Sequence, residues 1–154
     1  MALITLNKLA LPTGSVLQVK SIKSNTQINF TTASSEVFAT QIDITPSSTS
    51  NKILVSMSTN GIDSGGSGRA VSVLKRGTTG GDTSGTEIGS YNIASTTVGS
   101  NGKYGGSIMI LDEPSSTSTL YYKIIMYNQD DSSESHLSEY AEDDYSITVM
   151  EIKG

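Results

Sequence analysis

The chain of 154 residues contains no cysteine, no tryptophan and a single histidine. Without cysteine there are no disulfides and no thiolate chemistry, and the redox compartment is left open. With one imidazole, a relay of nucleophile, base and orienting acid has only His136 to draw on. That residue lies between Ser135 and Leu137 in an acidic polar stretch. No adjacent apolar strand is expected to hold it, so it reads as a solvated loop histidine. No apolar run approaches the length that crosses a bilayer. Ten basic against fifteen acidic residues give a net charge of −5. Such a surface does not attract phosphates, which argues against nucleic acid as a partner. No membrane partner is expected either.

What is present is small, polar and β-forming. The chain holds 26 serines, 18 threonines and 15 glycines, with a hydrophobic fraction of 35%. Set into this background are eight runs in which apolar residues alternate with polar ones, the two-residue period of a half-buried strand. They cover residues 15–23, 36–45, 52–59, 69–76, 87–93, 104–112, 120–128 and 145–152. Ile28 and Phe30 mark a possible short extra strand. Phe38, Ile42 and Ile44 are expected on one face of the second run, Ile53, Val55 and Met57 on one face of the third, and Val71 and Val73 inward on the fourth. Pro46 ends a run because it cannot donate a ladder hydrogen bond. The segments 60–68 and 77–86 read as glycine-rich loops. Eight strands of this length suit an all-β fold, an eight-stranded jelly-roll β-sandwich. An immunoglobulin-like sandwich has no Cys–Trp–Cys signature to support it. The expected organisation is an N-terminal extended arm, 1–14, and a jelly-roll domain, 15–154.

The groups that might carry chemistry have simpler explanations. Asp130, Asp131, Glu134, Glu139, Glu142, Asp143 and Asp144 crowd one segment. They lack the spacing and the turn glycine of a calcium loop, so a solvated, mutually repelling segment is expected. A pair such as Asp130 and Glu134 could in principle serve as the two carboxylates of a glycosidase, but only Tyr140 and Tyr145 lie near for sugar stacking. Neither glycine-rich segment ends in Gly-Lys-Ser/Thr or opens a helix, so neither reads as a phosphate loop, and flexibility explains them better. No enzyme activity, no cofactor and no metal site is expected.

Two features suggest binding to protein. Leu3, Ile4, Leu6, Leu9 and Leu11 form an apolar run outside the sandwich. It lacks the basic start of a signal peptide, and Thr5, Asn7 and Lys8 interrupt it. It reads either as a strand on its own sheet edge or as an arm that joins a neighbouring subunit or partner by strand addition. The run 120–128 is apolar on both faces, with Tyr121, Ile125 and Tyr127 opposite Leu120, Tyr122, Ile124 and Met126. A strand covered on both sides is central or lies in a subunit contact. Tyr121, Ile125 and Tyr127 are therefore candidate contact residues.

Pro12-Thr13-Gly14-Ser15-Val16-Leu17-Gln18-Val19 resembles the opening of small virion proteins and fibre tips of tailed bacteriophages. Ile44-Thr45-Pro46 with Lys52-Ile53-Leu54-Val55 resembles a recurring turn and strand. Leu74-Lys75-Arg76-Gly77 resembles a strand end, Leu111-Asp112-Glu113-Pro114 with Thr119-Leu120-Tyr121-Tyr122-Lys123 a hairpin, and 147–154 a terminal strand. The resemblance runs from Leu11 onward, and the acidic segment 129–144 departs from it most. It implies a jelly-roll domain, a homotrimer, and a place on the outside of a virion. It transfers no catalytic residues. A capsid decoration (cement) protein is the first expectation, with the major capsid protein or another virion component as partner, assembled in the host cytoplasm. Opening on Met1 and without a coiled-coil or β-helical shaft, the chain is expected to act as a whole decoration protein. A receptor-binding tip that contacts host glycan through its glycine-rich loops and tyrosines is the alternative.

Overall fold

The computed structural model describes residues 11–30, 35–64, 69–94, 103–129, 135–138 and 143–154. Among them the chain forms β-strands and no helix. The strands are β1 (Val16–Ser24), β2 (Ile28–Phe30), β3 (Val37–Ile44), β4 (Lys52–Ser64), β5 (Arg69–Gly77), β6 (Thr86–Ala94), β7 (Lys103–Asp112), β8 (Leu120–Asn128), β9 (Ser135–Leu137) and β10 (Tyr145–Ile152). There are ten rather than the expected eight. Ile28 and Phe30 do make a strand, and β9 is the one the alternation pattern does not reveal.

Every strand pairs antiparallel with its mirror image in chain order: β1 with β10, β2 with β9, β3 with β8, β4 with β7, β5 with β6. The chain is thus one long hairpin wrapped on itself, with β5–β6 as its innermost turn. Wrapping adds the contacts of β10 and β9 with β4, and of β8 with β5. The result is a jelly roll of two sheets. The first has the order β1-β10-β4-β9-β2, with β7 on the other side of β4, and the second the order β3-β8-β5-β6. One end of the sandwich holds the loops after β3, β5 and β7 together with residues 11–15 and 153–154. At the other end β1, β4, β6 and β8 finish and β5, β7 and β10 begin.

The core lies between the sheets. Ile53, Val55 and Met57 from β4, and Ile147 and Val149 from β10, face Ile42 and Ile44 from β3 and Tyr122, Ile124 and Met126 from β8. All are buried. Deleting one such side chain to alanine costs about 2–5 kcal/mol, because the cavity left behind collapses only partly.

Three expectations are corrected by the same physics of phase. First, β4 does not stop at Thr59. A register shift between Thr59 and Ile62 contains Gly61 in the left-handed region at φ 64°, and the strand passes through it to Ser64. Glycine adopts that backbone without penalty, so the residue bulges the strand instead of ending it. Past the bulge, β4 exchanges β10 for β9 as its neighbour. Second, Phe38 does not share a face with Ile42 and Ile44. A register shift between Phe38 and Thr40 reverses the alternation, and one slipped residue moves a side chain to the opposite face. Third, Val71 and Val73 are buried, but on the outside of the second sheet. Ala70 and Leu74 join the central core instead.

Candidate functional site

The residues that carry the phage-protein resemblance converge on two hydrogen-bonded networks at the end of the sandwich where the termini lie. The first is built around Glu151 on β10. Its position continues the inward phase of Ile147 and Val149, so a carboxylate is placed where an apolar side chain would ordinarily stand, and it is fully buried. It accepts hydrogen bonds from the Ser47 amide (2.5 Å) and hydroxyl (2.8 Å), Asn51 Nδ2 (2.6 Å) and Gln18 Nε2 (2.7 Å). Burial pushes its carboxyl pKa upward, but the donors from Ser47, Asn51 and Gln18 outweigh that and hold it below the usual carboxylate range. Gln18 Nε2 also reaches the Thr45 carbonyl, and Asn51 Oδ1 accepts the Gly154 amide at 3.1 Å. The Ser-rich turn after Pro46 is therefore stapled to the last strand and to β1.

The second network joins β5, β7 and β8. Arg76 Nη1 donates to both carboxylate oxygens of Asp112, at 2.6 and 2.7 Å, and the Tyr122 hydroxyl donates to Asp112 at 2.6 Å. Burial first, then the Asp112 contact, pushes the Tyr122 phenol pKa up, so the hydroxyl stays protonated and remains a donor. Because β5 and β8 belong to one sheet and β7 to the other, this ion pair clamps the sandwich shut. Above it lies a cavity of about 410 Å³ lined by Arg76, Thr78, Ser84, Thr86, Pro114 and Ser116.

The glycine-rich loop after β5, expected to be flexible, is tied down. Lys123 is fully buried on the outer face of β8, and its ammonium meets Asp82 and the Ser84 carbonyl. The hydrogen bond from Lys123, then that from Ser84, holds the Asp82 carboxyl below its ordinary pKa. The Gly81 amide donates to Gln41 Oε1 at 2.7 Å. Gly85 is a demanding glycine here: at φ 127° a Cβ would stand 2.6 Å from the Arg76 carbonyl oxygen.

Of the candidate contact residues, Ile125 is fully buried within the chain, against Val71, Val73, Phe38 and Tyr127. Tyr121 and Tyr127 are half-buried on the same outer face. Of the arm, Leu11 is described and Leu3, Ile4, Leu6 and Leu9 lie outside the described residues. The root of the arm runs beside the end of the chain. The Gly14 amide donates to the Lys153 carbonyl (2.8 Å), the Lys153 amide donates to that of Ser15 (2.9 Å), and the Lys153 ammonium reaches the Leu11 carbonyl.

His136 is not in a loop, as expected, but on β9, paired with Asn29 of β2 on one side and Asp63 of β4 on the other. Ladder pairing from both sides orders a segment whose sequence carries almost no strand signal. Asp130, Asp131, Glu134, Glu139, Tyr140 and Glu142 lie outside the described residues. Among the described residues no three His, Cys, Asp or Glu side chains converge where they could hold a metal ion.

No protein family and no curated protein matches the sequence. The fold does have solved neighbours. All of this chain aligns with 38% of a chain in the infectious bursal disease virus VP2 subviral particle, at 11% identity and a TM-score of 0.51. It also aligns with 37% of a chain of the infectious bursal disease virus Gx strain, at 9% identity and a TM-score of 0.45. A third neighbour comes from Bacillus endospore appendages, described as a family of disulfide-linked pili. Here the alignment covers 97% of this chain and 100% of the other, at 15% identity and a TM-score of 0.43. The chain thus spans about two fifths of the length of the viral chains, and at these identities the likeness is one of fold.

Proposed function

We propose that the chain is a structural virion protein of a tailed bacteriophage, a homotrimeric capsid decoration protein that binds and stabilises the outer surface of the head. The observation that carries this reading is the root of the arm. Residues 11–15 are fixed against Lys153, so the apolar run Leu3, Ile4, Leu6, Leu9 and Leu11 is tethered to the jelly roll at a defined point. An apolar segment on a fixed root suits strand addition to the major capsid protein. Three arms on one trimer raise each other's effective concentration, so each can be weak. Two further points favour a structural part over an enzyme. Glu151, Arg76 and Asp112 are engaged in holding strands together, and the VP2 neighbour is itself from a viral particle.

The test is sedimentation of purified protein with heads that lack it. Full-length protein is expected to pellet with heads, and a chain without residues 1–11 to stay in the supernatant. Equal pelleting of the two, or no pelleting of either, contradicts the reading. The cavity beside Arg76 favours a second reading, a receptor-binding tip that takes host glycan. It predicts host-cell binding that survives the same truncation and is lost on filling the cavity with Thr86→Trp.

A further inference from the structure

The outer face of the first sheet carries an apolar band that nothing within the described residues buries. Register places Val19 of β1 opposite Met150 of β10, Met150 opposite Leu54 of β4, and Leu54 opposite Leu111 of β7. Four apolar side chains therefore form one unbroken row across four strands. Val16 and Ile152 extend the band on one side, and Met109 on the other. The most exposed members sit on the two outer strands: Met109 at 67%, Val19 at 55%, Leu111 at 50% and Val16 at 48%. The following rows are polar, with Ser21, Thr148 and Ser56, then Lys23, Ser146, Ser58 and Ser107. An apolar centre with a polar rim is the anatomy of a protein interface.

We infer that this face is the contact between copies of the chain and that it lines the axis of the trimer. Charge permits a second copy as the occupant. The chain carries −5 overall, so copies repel one another. At the margins of this face, however, Lys52 is paired with Glu113 (2.5 Å) and Lys23 with Asp144 within each copy. A foreign partner finds no unpaired charge to read in the band, and no aromatic or arginine anchor of the kind that dominates tight heteromeric contacts. A second copy therefore meets a band that adds no unpaired charge to that repulsion.

Geometry selects three copies. Four strands about 4.8 Å apart make a wall about 19 Å wide. Three such walls closing a triangle each stand about 5.5 Å from its axis, half the separation of about 10 Å at which sheets pack face to face. The side chains of the band then fill the axis. At each corner β1 of one copy meets β7 of the next, which brings together the two strands with the most exposed apolar residues. This is a heterologous contact that closes into a ring. The wall, about 19 by 27 Å, offers roughly 500 Å², less than the roughly 800 Å² per partner of a standard interface, so dissociation on dilution is expected.

This inference rests on the reading of the chain as a homotrimer but not on what the trimer binds. Mass photometry and sedimentation velocity of the full chain across a concentration series test it. The expected species are one and three times 16.2 kDa, exchanging with concentration. Leu111→Lys and Val19→Lys, at exposed positions, are expected to weaken assembly at least about tenfold, while Thr79→Lys in the loop after β5 leaves it unchanged. Removing residues 1–11 is also expected to leave it unchanged, because the face and not the arm makes the contact. Trimers that persist in both lysine variants, trimers lost only on truncation, a dimer as the end state, or a monomer at every concentration would each overturn the assignment. Head binding by the lysine variants separates the two claims: monomers that still pellet with heads, more weakly, sustain the decoration reading by itself.

Discussion

The two sheets of this sandwich each have an apolar outer face, and the chain treats them differently. On the second sheet, Val71, Val73 and Ile125 are buried within the chain, and the Lys123 ammonium beside them is covered by the loop after β5. On the first sheet, Val16, Val19, Met109 and Leu111 stay in solvent. The lesson is that an apolar strand face does not by itself mark an interface. It marks one only when the chain leaves it open, and β8 and β1 answer that question oppositely.

The sharpest way to break this comparison is to truncate one residue from each face and follow unfolding in urea. Ile125→Ala is expected to cost about 2–4 kcal/mol, since it opens a cavity among packed side chains. Equal and small effects at Ile125 and Leu111 would erase the distinction. Next in size is the staple that holds the edge of the first sheet. Glu151→Gln is expected to cost about 2 kcal/mol, because the amide replaces charge-assisted hydrogen bonds from Ser47, Asn51 and Gln18.

The same variant carries a pH signature. The folded pKa of Glu151 lies below its unfolded value, so its stabilisation is complete above the unfolded value, about 4.3. It is lost as pH falls through the folded pKa. Urea midpoints of the wild type are expected to drop in that acid range and to drop less in Glu151→Gln. Asp43, held low chiefly by the hydrogen bond from Lys20, and Asp82, held low by that from Lys123, add to the drop in both proteins. A midpoint that rises on acidification would reverse the sign and refute the assignment.

Much of this was legible in the sequence, and what was not has physical causes. Strand β10 and the first half of β4 alternate cleanly, so their existence and their inward faces follow from period alone, and β8 follows from its uninterrupted apolar run. Strand β9 has one apolar residue in three, and only its neighbours β2 and β4 make it a strand. The face of Phe38 and the extent of β4 beyond Thr59 differ from expectation because a bulge shifts the register where period alone gives no signal. The open face of the first sheet was missed because Met150 and Ile152 fall on the polar side of β10, where the eye follows Ile147 and Val149. The signal for the Glu151 staple was available: a carboxylate on the buried phase of an apolar strand needs donors, and a Ser-rich turn preceded by proline supplies them.

Smaller effects refine the picture. Tyr122→Phe removes one of the two donors on Asp112 and is expected to cost about 1 kcal/mol, with Arg76 still in place. Leu111→Ser, on the open face, is expected to change the stability of the monomer by less than about 0.5 kcal/mol in the same urea experiment. A loss of several kcal/mol there would mean that the chain itself relies on this face.

Because the chain has no cysteine, a single thiol label reports on one position without interference. The most direct measurement is electron paramagnetic resonance of a spin label at Met109→Cys, compared with one at Thr79→Cys, as concentration rises. The account predicts that the label at 109 becomes immobilised and shows a short distance to labels on other copies, while that at 79 stays mobile. A label at 109 that stays mobile in assembled protein would contradict it.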